Sequence, residues 1–223
     1  EFRRVLFRSA AFTAIGPAAI KLGQSLATRP DLVGEVAAAD LLRLQDAVAP
    51  VPFATICEQM KASFGRPLDT LFASIEETPV GAASIAQVHR AVTTDGRTVA
   101  VKVLRPGVEE DFARAIDTYE WAAAQVEPMG GEIARLQPRL VIETFKRWTA
   151  RELNFTREAA SASELAEMMA AEPGFVVPEI DWQRTTGKVL TLEWIDGIKL
   201  SDQAALIAAG YDRRELARVL IHA

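Results

Sequence analysis

The chain has 223 residues, of which 49% are apolar, and this is enough for one large domain or two small ones. With 25 basic and 30 acidic residues, the chain has a net charge of −5. It therefore lacks the overall positive charge that is typical of proteins that bind nucleic acid. A single cysteine excludes an internal disulfide, and no apolar run reaches the roughly 18–20 residues of a membrane span.

The first part of the chain is predicted to be helical. The opening residues, EFRRVLFRS, match no pattern that follows, and we expect 1–9 to be a non-native leader. The apolar spacing predicts helices over 10–26, 34–47 and 52–64, and a helical turn over 68–72. Together these elements form a predicted helical extension over residues 10–78.

The pattern changes to strands at Pro79. Strands are predicted over 86–92 and 98–104, joined by a turn that contains Asp95-Gly96, a strong hairpin signal. Further along we predict a helix over 108–126, one long helix over 138–171, strands over 175–180 and 189–192, and helices over 201–209 and 213–223. This order predicts an α+β fold in which an antiparallel sheet and a long helix make up residues 79–198.

The second strand of the hairpin carries a lysine in an otherwise apolar run. Alternation along the strand places Ala100 and Lys102 on one face, where the small alanine leaves room for a flat base and the lysine reaches phosphate oxygens. The preceding loop has small residues that let backbone N–H groups approach a ligand: Gly81, Ala82, Ala83 and Ser84. This pattern is typical of the nucleotide-binding half of a kinase-like small lobe. A strand lysine at a sheet edge and a tight packed turn are the alternatives.

Lys102 needs an acidic partner on a later helix, and the candidates are Glu152 and Glu158. These two glutamates are six positions apart, which places them about 120° apart around one helix, so they cannot both contact Lys102 in the same way. Lys21 and Gln24 are three apart and share a helix face.

The segment 193–197, which includes Glu193 and Ile195, follows an apolar strand. In a kinase-like lobe this is the hinge, whose backbone groups bond to the adenine edge, and a plain strand-to-helix turn is the alternative.

These segments together resemble the UbiB family of atypical protein-kinase-like proteins, which support ubiquinone biosynthesis. Lys21-Leu22-Gly23-Gln24 resembles the family's KxGQ motif, and residues 81–84 resemble its alanine-rich loop. Residues 99–102 resemble the lysine strand, and residues 151–160 resemble the helix that bears the ExD motif and the lysine-pairing glutamate. Two positions depart from the pattern, because Asn154 replaces the acid of ExD and Gly81 replaces the first alanine of the loop.

The resemblance implies that Glu158 pairs with Lys102 and that Glu152 faces Lys21, while the extension covers the place where ordinary kinases bind a protein substrate. It implies ATP and Mg²⁺ as cofactors, with ATPase or small-molecule phosphoryl chemistry. It also implies a cytoplasmic protein at the inner membrane, near quinone-precursor lipids and other ubiquinone-biosynthesis proteins. Residues 199–223 are expected to begin a truncated large lobe. The catalytic loop and metal-binding residues would follow it, so we expect this fragment to be inactive.

Two other functions stay open at this stage. One is a non-catalytic module that responds to nucleotide or lipid and supports a biosynthetic complex. The other is a small-molecule phosphotransferase of the aminoglycoside-kinase type, against which the KxGQ-like segment argues.

Overall fold

The computed structural model describes residues 11–42, 44, 49–131, 135–172, 174–200 and 202–222. Its helices are α1 Pro17–Ala27, α2 Pro30–Val33, α3 Glu35–Leu41, α4 Phe53–Phe64, α5 Val108–Val126, α6 Pro138–Glu152, α7 Phe155–Met169, α8 Gln203–Ala208 and α9 Arg213–His222. Its strands are β1 Phe72–Ile75, β2 Gly81–Ala82, β3 Ala86–Thr93, β4 Thr98–Leu104 and β5 Val189–Glu193. The expected leader over 1–9 lies outside the described residues.

The strands form one antiparallel sheet in the order β1-β3-β4-β5, with β2 also paired to β3. The β3–β4 hairpin turns at Asp95-Gly96, where Gly96 has a φ of 88° that only glycine adopts without strain. This arrangement confirms the predicted α+β class and the kinase-like small lobe.

Helices cover the sheet on both faces. On one face α4 packs its buried Ile56 and Met60 against Val99, Val101 and Val103, which alternate along β4. On the other face, helices α5, α6 and α7 pack against Leu190 of β5 in a larger apolar cluster. Its buried side chains include Phe112, Phe145 and Phe155. Lys102 projects from β4 toward this second side because its neighbours Val101 and Val103 point to α4.

The amino-terminal helices have a small core of their own, built from Ala27, Leu41 and Leu44. Gly23 faces this core from α1. A Cβ at that position would overlap the Leu44 side chain and lie 3.0 Å from a Phe12 ring carbon. The glycine therefore permits the close approach of Leu44 to α1.

The long helix predicted over 138–171 is wrong, because the chain forms two helices with a break at Leu153-Asn154. Asn154 caps α7 by accepting a hydrogen bond from the Thr156 amide at 3.1 Å, which starts a new helix. The predicted strand over 175–180 is also wrong, since of these residues only Ile180 makes a bridge, to Leu192.

Strand β1 was not predicted, because the helical turn expected over 68–72 ends as a 3₁₀ turn at Thr70 and the chain then pairs with β3. The sheet thus begins inside the segment assigned to the helical extension. The first predicted helix is interrupted at Gly16, where φ is 119°. The second is seen over Glu35–Leu41, and most of its predicted end lies outside the described residues. No helix in the described ranges is both long and apolar enough to cross a membrane.

Candidate functional site

Lys102 and Glu158 form an ion pair on the helical side of the sheet. The Lys102 Nζ donates to both carboxylate oxygens of Glu158, at 2.8 and 2.9 Å, and lies 4.7 Å from the centre of the Phe155 ring. The Lys102 side chain is 28% exposed and that of Glu158 is 46% exposed. An ion pair this open to water contributes little to the stability of the fold.

The break between α6 and α7 sets the position of Glu158. Phe155 is fully buried at the start of α7, and its amide donates to the Gly187 carbonyl at 2.9 Å, which anchors the helix to the β5 end of the sheet. Glu158 then lies in the first turn of α7, where the exposed amides of a helix start favour a negative charge. The local sequence therefore points this carboxylate at β4.

Lys21 of α1 pairs with Glu152, the last residue of α6, at an Nζ–Oε2 distance of 3.5 Å. Its ammonium also lies 5.8 Å from the centre of the Trp148 ring. The Lys21 side chain is only 13% exposed, so α1 covers this end of α6. The two lysine–glutamate pairs that the resemblance implied are thus both present.

A cavity of about 560 Å³ lies between the two pairs. Its walls carry charged and aromatic side chains from β4, α6 and α7: Lys102, Trp148, Arg151, Glu152, Arg157 and Glu158. Its volume lies within the roughly 300–1,000 Å³ of small-molecule sites. The two arginines had no assigned role in the sequence analysis, although both stand in the segment that resembles the ExD helix.

The small-residue loop next to Lys102 is partly committed to the sheet. Gly81 and Ala82 form β2 opposite Val88 and Gln87, and the Ala83 amide donates to the Ala86 carbonyl at 2.8 Å. Ser84 is fully buried, and its neighbour Ile85 reaches the cavity wall. The structure places this loop beside the cavity without lining it.

Ala100 shares its face of β4 with Lys102 and lies between Arg90 of β3 and Leu192 of β5. Glu193 follows Leu192 at the exposed end of β5, and its amide donates to the Glu179 carbonyl at 2.8 Å. Ile195 is 48% exposed beyond the strand. Ala100 thus lies between Lys102 and the segment 193–197. That this segment acts as an adenine-binding hinge stays a prediction.

Three of the predicted covering residues, Lys21, Gln24 and Asn154, are not among the residues that line the cavity. The Gln24 amide donates to the Leu44 carbonyl at 3.3 Å and so holds the amino-terminal helices together. Asn154 is the cap of α7, and capping requires an oxygen acceptor rather than a negative charge. The replacement of an acid by an amide at this position is therefore compatible with its structural role.

A buried polar chain connects the linker before α4 to the sheet. The Gln87 side chain accepts from the Val51 amide at 2.9 Å and donates to the Val51 carbonyl at 3.3 Å. The His89 Nδ1 is 2.8 Å from the Glu76 carbonyl, which only accepts, so Nδ1 carries the proton and Nε2 accepts from Gln87 Nε2 at 2.9 Å. Burial lowers the pKa of His89 from its ordinary value, which keeps the ring neutral.

No group of three or more His, Cys, Asp or Glu side chains within the described ranges is arranged to hold a metal ion. Burial raises the pKa of Cys57, and a thiol kept protonated in this way is a poor nucleophile.

Comparison with known proteins gives one consistent result. A family model described as the ABC1 atypical kinase-like domain matches residues 43–223. A probable protein kinase UbiB from Marinobacter nauticus is 38% identical over 207 residues, which cover 93% of this chain and 38% of that protein. A protein of the same name from Xylella fastidiosa is 37% identical over 206 residues, covering 92% and 37%. The chain thus spans less than two fifths of the length of these curated relatives.

A solved structure supports the same fold. The complex of Rv3197 with erythromycin from Mycobacterium tuberculosis matches with a TM-score of 0.56 and 30% sequence identity. The match covers 89% of this chain and 49% of that one.

Proposed function

Because the chain belongs to the UbiB family of ABC1 atypical kinase-like proteins, we propose that it is the amino-terminal part of an enzyme that binds Mg-ATP and supports ubiquinone biosynthesis. The enzyme hydrolyses ATP or transfers its terminal phosphoryl group, and it is not a typical protein kinase. The observation that carries the proposal is the Lys102–Glu158 pair, with both carboxylate oxygens engaged, on the wall of a cavity of suitable size.

The local geometry suits a nucleotide phosphate. An ammonium has three N–H donors, and Glu158 accepts two of them, which leaves one donor of Lys102 for a phosphate oxygen. Ala100, two residues earlier on the same face, leaves space for a flat base toward the hinge. Glu158 orients the lysine, and Lys102 supplies the positive charge.

Magnesium would enter with the nucleotide. In ATP sites this ion takes most of its ligands from substrate phosphates and water, with one or two protein carboxylates. We expect those carboxylates in the part of the longer protein that would follow residue 223. For this reason we also propose that the fragment alone is inactive.

The position of α1 argues against a protein substrate. Lys21 reaches Glu152 on the cavity wall, and the family resemblance supports the proposal that the amino-terminal extension takes the place where ordinary kinases bind a peptide. A small or lipid-like acceptor fits this arrangement better, and we propose a quinone-precursor lipid at the surface of the inner membrane. Ubiquinone-biosynthesis proteins are the proposed partners.

Nucleotide-dependent thermal stabilisation tests the binding step. We expect Mg-ATP to raise the Tm of the wild-type protein, and we expect Lys102→Ala to remove most of this rise. Lys146→Ala is the matched control, because Lys146 forms an equally short ion pair, 2.8 Å to Glu120, away from the cavity. Equal stabilisation of wild type and Lys102→Ala would refute a nucleotide site at Lys102.

Phosphate release separates the enzyme from the regulatory alternative. A protein extended to the length of its relatives should release phosphate from ATP, and the rate should fall when Lys102 is replaced. Nucleotide binding without any phosphate release would favour the non-catalytic module.

A further inference from the structure

The charges around the Lys102 cavity are only partly balanced. Lys102 is paired with Glu158, and Lys21 behind the wall is paired with Glu152. Arg151 and Arg157 are exposed residues that also line the cavity, and within the described ranges neither side chain forms an ion pair or a hydrogen bond. The residues that line the cavity therefore carry a net charge of about +1, or about +2 when Lys21 behind the wall is counted, and the two cations without an acidic partner are arginines.

Helix electrostatics explains one of these arginines but not the other. Arg151 is in the last turn of α6, where the carbonyl end of a helix favours a cation. Arg157 is in the first turn of α7, where the amide end of a helix disfavours one. A residue placed against the local rule, without a compensating contact, is a candidate for function rather than for stability.

The helix break brings the two arginines to one place. On a continuous helix, positions 151 and 157 would lie about 120° apart and face different surroundings. The break at Leu153-Asn154 redirects the chain, so the end of α6 and the start of α7 both face the same cavity. Both arginines thus line the same cavity as the Lys102–Glu158 pair.

We propose that Arg157, together with Arg151, binds the phosphate groups of the ligand in this cavity. A guanidinium donates in a planar fork that matches two phosphate oxygens, whereas the charge of Lys102 is already opposed by Glu158. That the phosphates belong to a nucleotide rests on the proposed function. Both arginines are phosphate-binding residues, and Lys102 positions the same group from the sheet.

The test compares three probes: Mg-ATP, inorganic tripolyphosphate and adenosine. Their Kd values are measured by calorimetry at about 0.15 M salt, where distant surface charges are largely screened. We expect Arg157→Gln and Arg151→Gln each to weaken tripolyphosphate and ATP by about tenfold, as for one lost charge-assisted hydrogen bond, and to leave adenosine unchanged. Arg147→Gln is the matched control, because this exposed arginine lies one turn before Arg151 on α6 and does not line the cavity.

The unliganded variants give a second readout. Arg157→Gln removes a cation from the start of α7, so its Tm without ligand should equal or exceed that of wild type. Arg157→Lys keeps the charge and loses the fork, and it should bind tripolyphosphate with intermediate affinity.

The outcomes separate this inference from the proposed function. Wild-type affinity for ATP and tripolyphosphate in both arginine variants, or an equal loss in Arg147→Gln, would overturn the inference and leave nucleotide binding intact. Arginine-dependent binding of tripolyphosphate without any binding of ATP would support the inference and refute the nucleotide. If the wild-type protein binds neither Mg-ATP nor tripolyphosphate, both the arginine inference and the proposed nucleotide site are overturned.

Discussion

Replacing Gln87 with leucine should destabilise the fold by about 2–4 kcal/mol. The side chain is 1% exposed and makes three hydrogen bonds, two to the backbone of Val51 and one to the ring of His89. Leucine has a similar size and no polar atom, so the substitution removes the bonds while changing the packing little.

The magnitude follows from what remains after the change. His89 is fully buried, so its Nε2 keeps no donor, and an unsatisfied buried acceptor costs about 1–3 kcal/mol. Val51 is half-buried, so water recovers part of its two bonds, each of which contributes about 0.5–1.5 kcal/mol net. The greater burial of apolar carbon offsets a fraction of this loss.

Urea unfolding at pH 7.5 measures the difference in free energy. Gln125→Leu is the control, because Gln125 is an exposed glutamine of α5, and its replacement should change stability by no more than about 0.5 kcal/mol. If Gln87→Leu loses no more than the control, the buried chain from Val51 to Glu76 does not hold the linker to the sheet.

Three further changes test the same reasoning by urea unfolding. Folding lowers the pKa of His89, so the contribution of this residue to the free energy of unfolding is complete above its ordinary pKa near 6.5 and decreases as the pH falls. Wild type should therefore lose more stability than His89→Gln between pH 7.5 and pH 5. Equal losses in the two proteins would contradict a neutral ring. Overlap of a Cβ with Leu44 costs about 1–3 kcal/mol, and alanine regains about 1 kcal/mol of helix propensity, so Gly23→Ala should cost up to about 2 kcal/mol. Gly81→Ala should stay within about 0.5 kcal/mol, because nothing lies within 4 Å of its Cβ position. Equal effects of the two substitutions would refute the packing argument. Asn154→Ala should lower the free energy of unfolding by about 1 kcal/mol because the α7 cap is lost, and Asn154→Asp should retain most of the wild-type stability. An equally large loss in the aspartate variant would show that Asn154 does not act as a cap.

The β3–β4 hairpin and the face of Lys102 were predictable because their signals are local. A two-residue alternation and an Asp-Gly turn together determine the register and the direction of each side chain. The pairing of Lys102 with Glu158 was not determined locally, since two glutamates were candidates, and it came from the family resemblance.

The break between α6 and α7 shows where local signals end. Leu153-Asn154 contains neither proline nor glycine, and the helical periodicity continues on both sides. The asparagine was the available signal, as a cap followed by an acid in the next turn, but anchoring of Phe155 to Gly187 determines that the chain turns there. Strand β1 escaped prediction for a related reason, because its four residues are a strand only through pairing with distant β3.

Lysine footprinting in the presence of ATP tests the central claim most directly. An amine-reactive ester labels the protein with and without saturating Mg-ATP, and mass spectrometry compares Lys102 with Lys146, a reference lysine outside the cavity in the same molecule. The account predicts that ATP lowers the labelling of Lys102 severalfold and leaves Lys146 unchanged. Equal labelling of Lys102 with and without saturating ATP would contradict a nucleotide phosphate at this lysine.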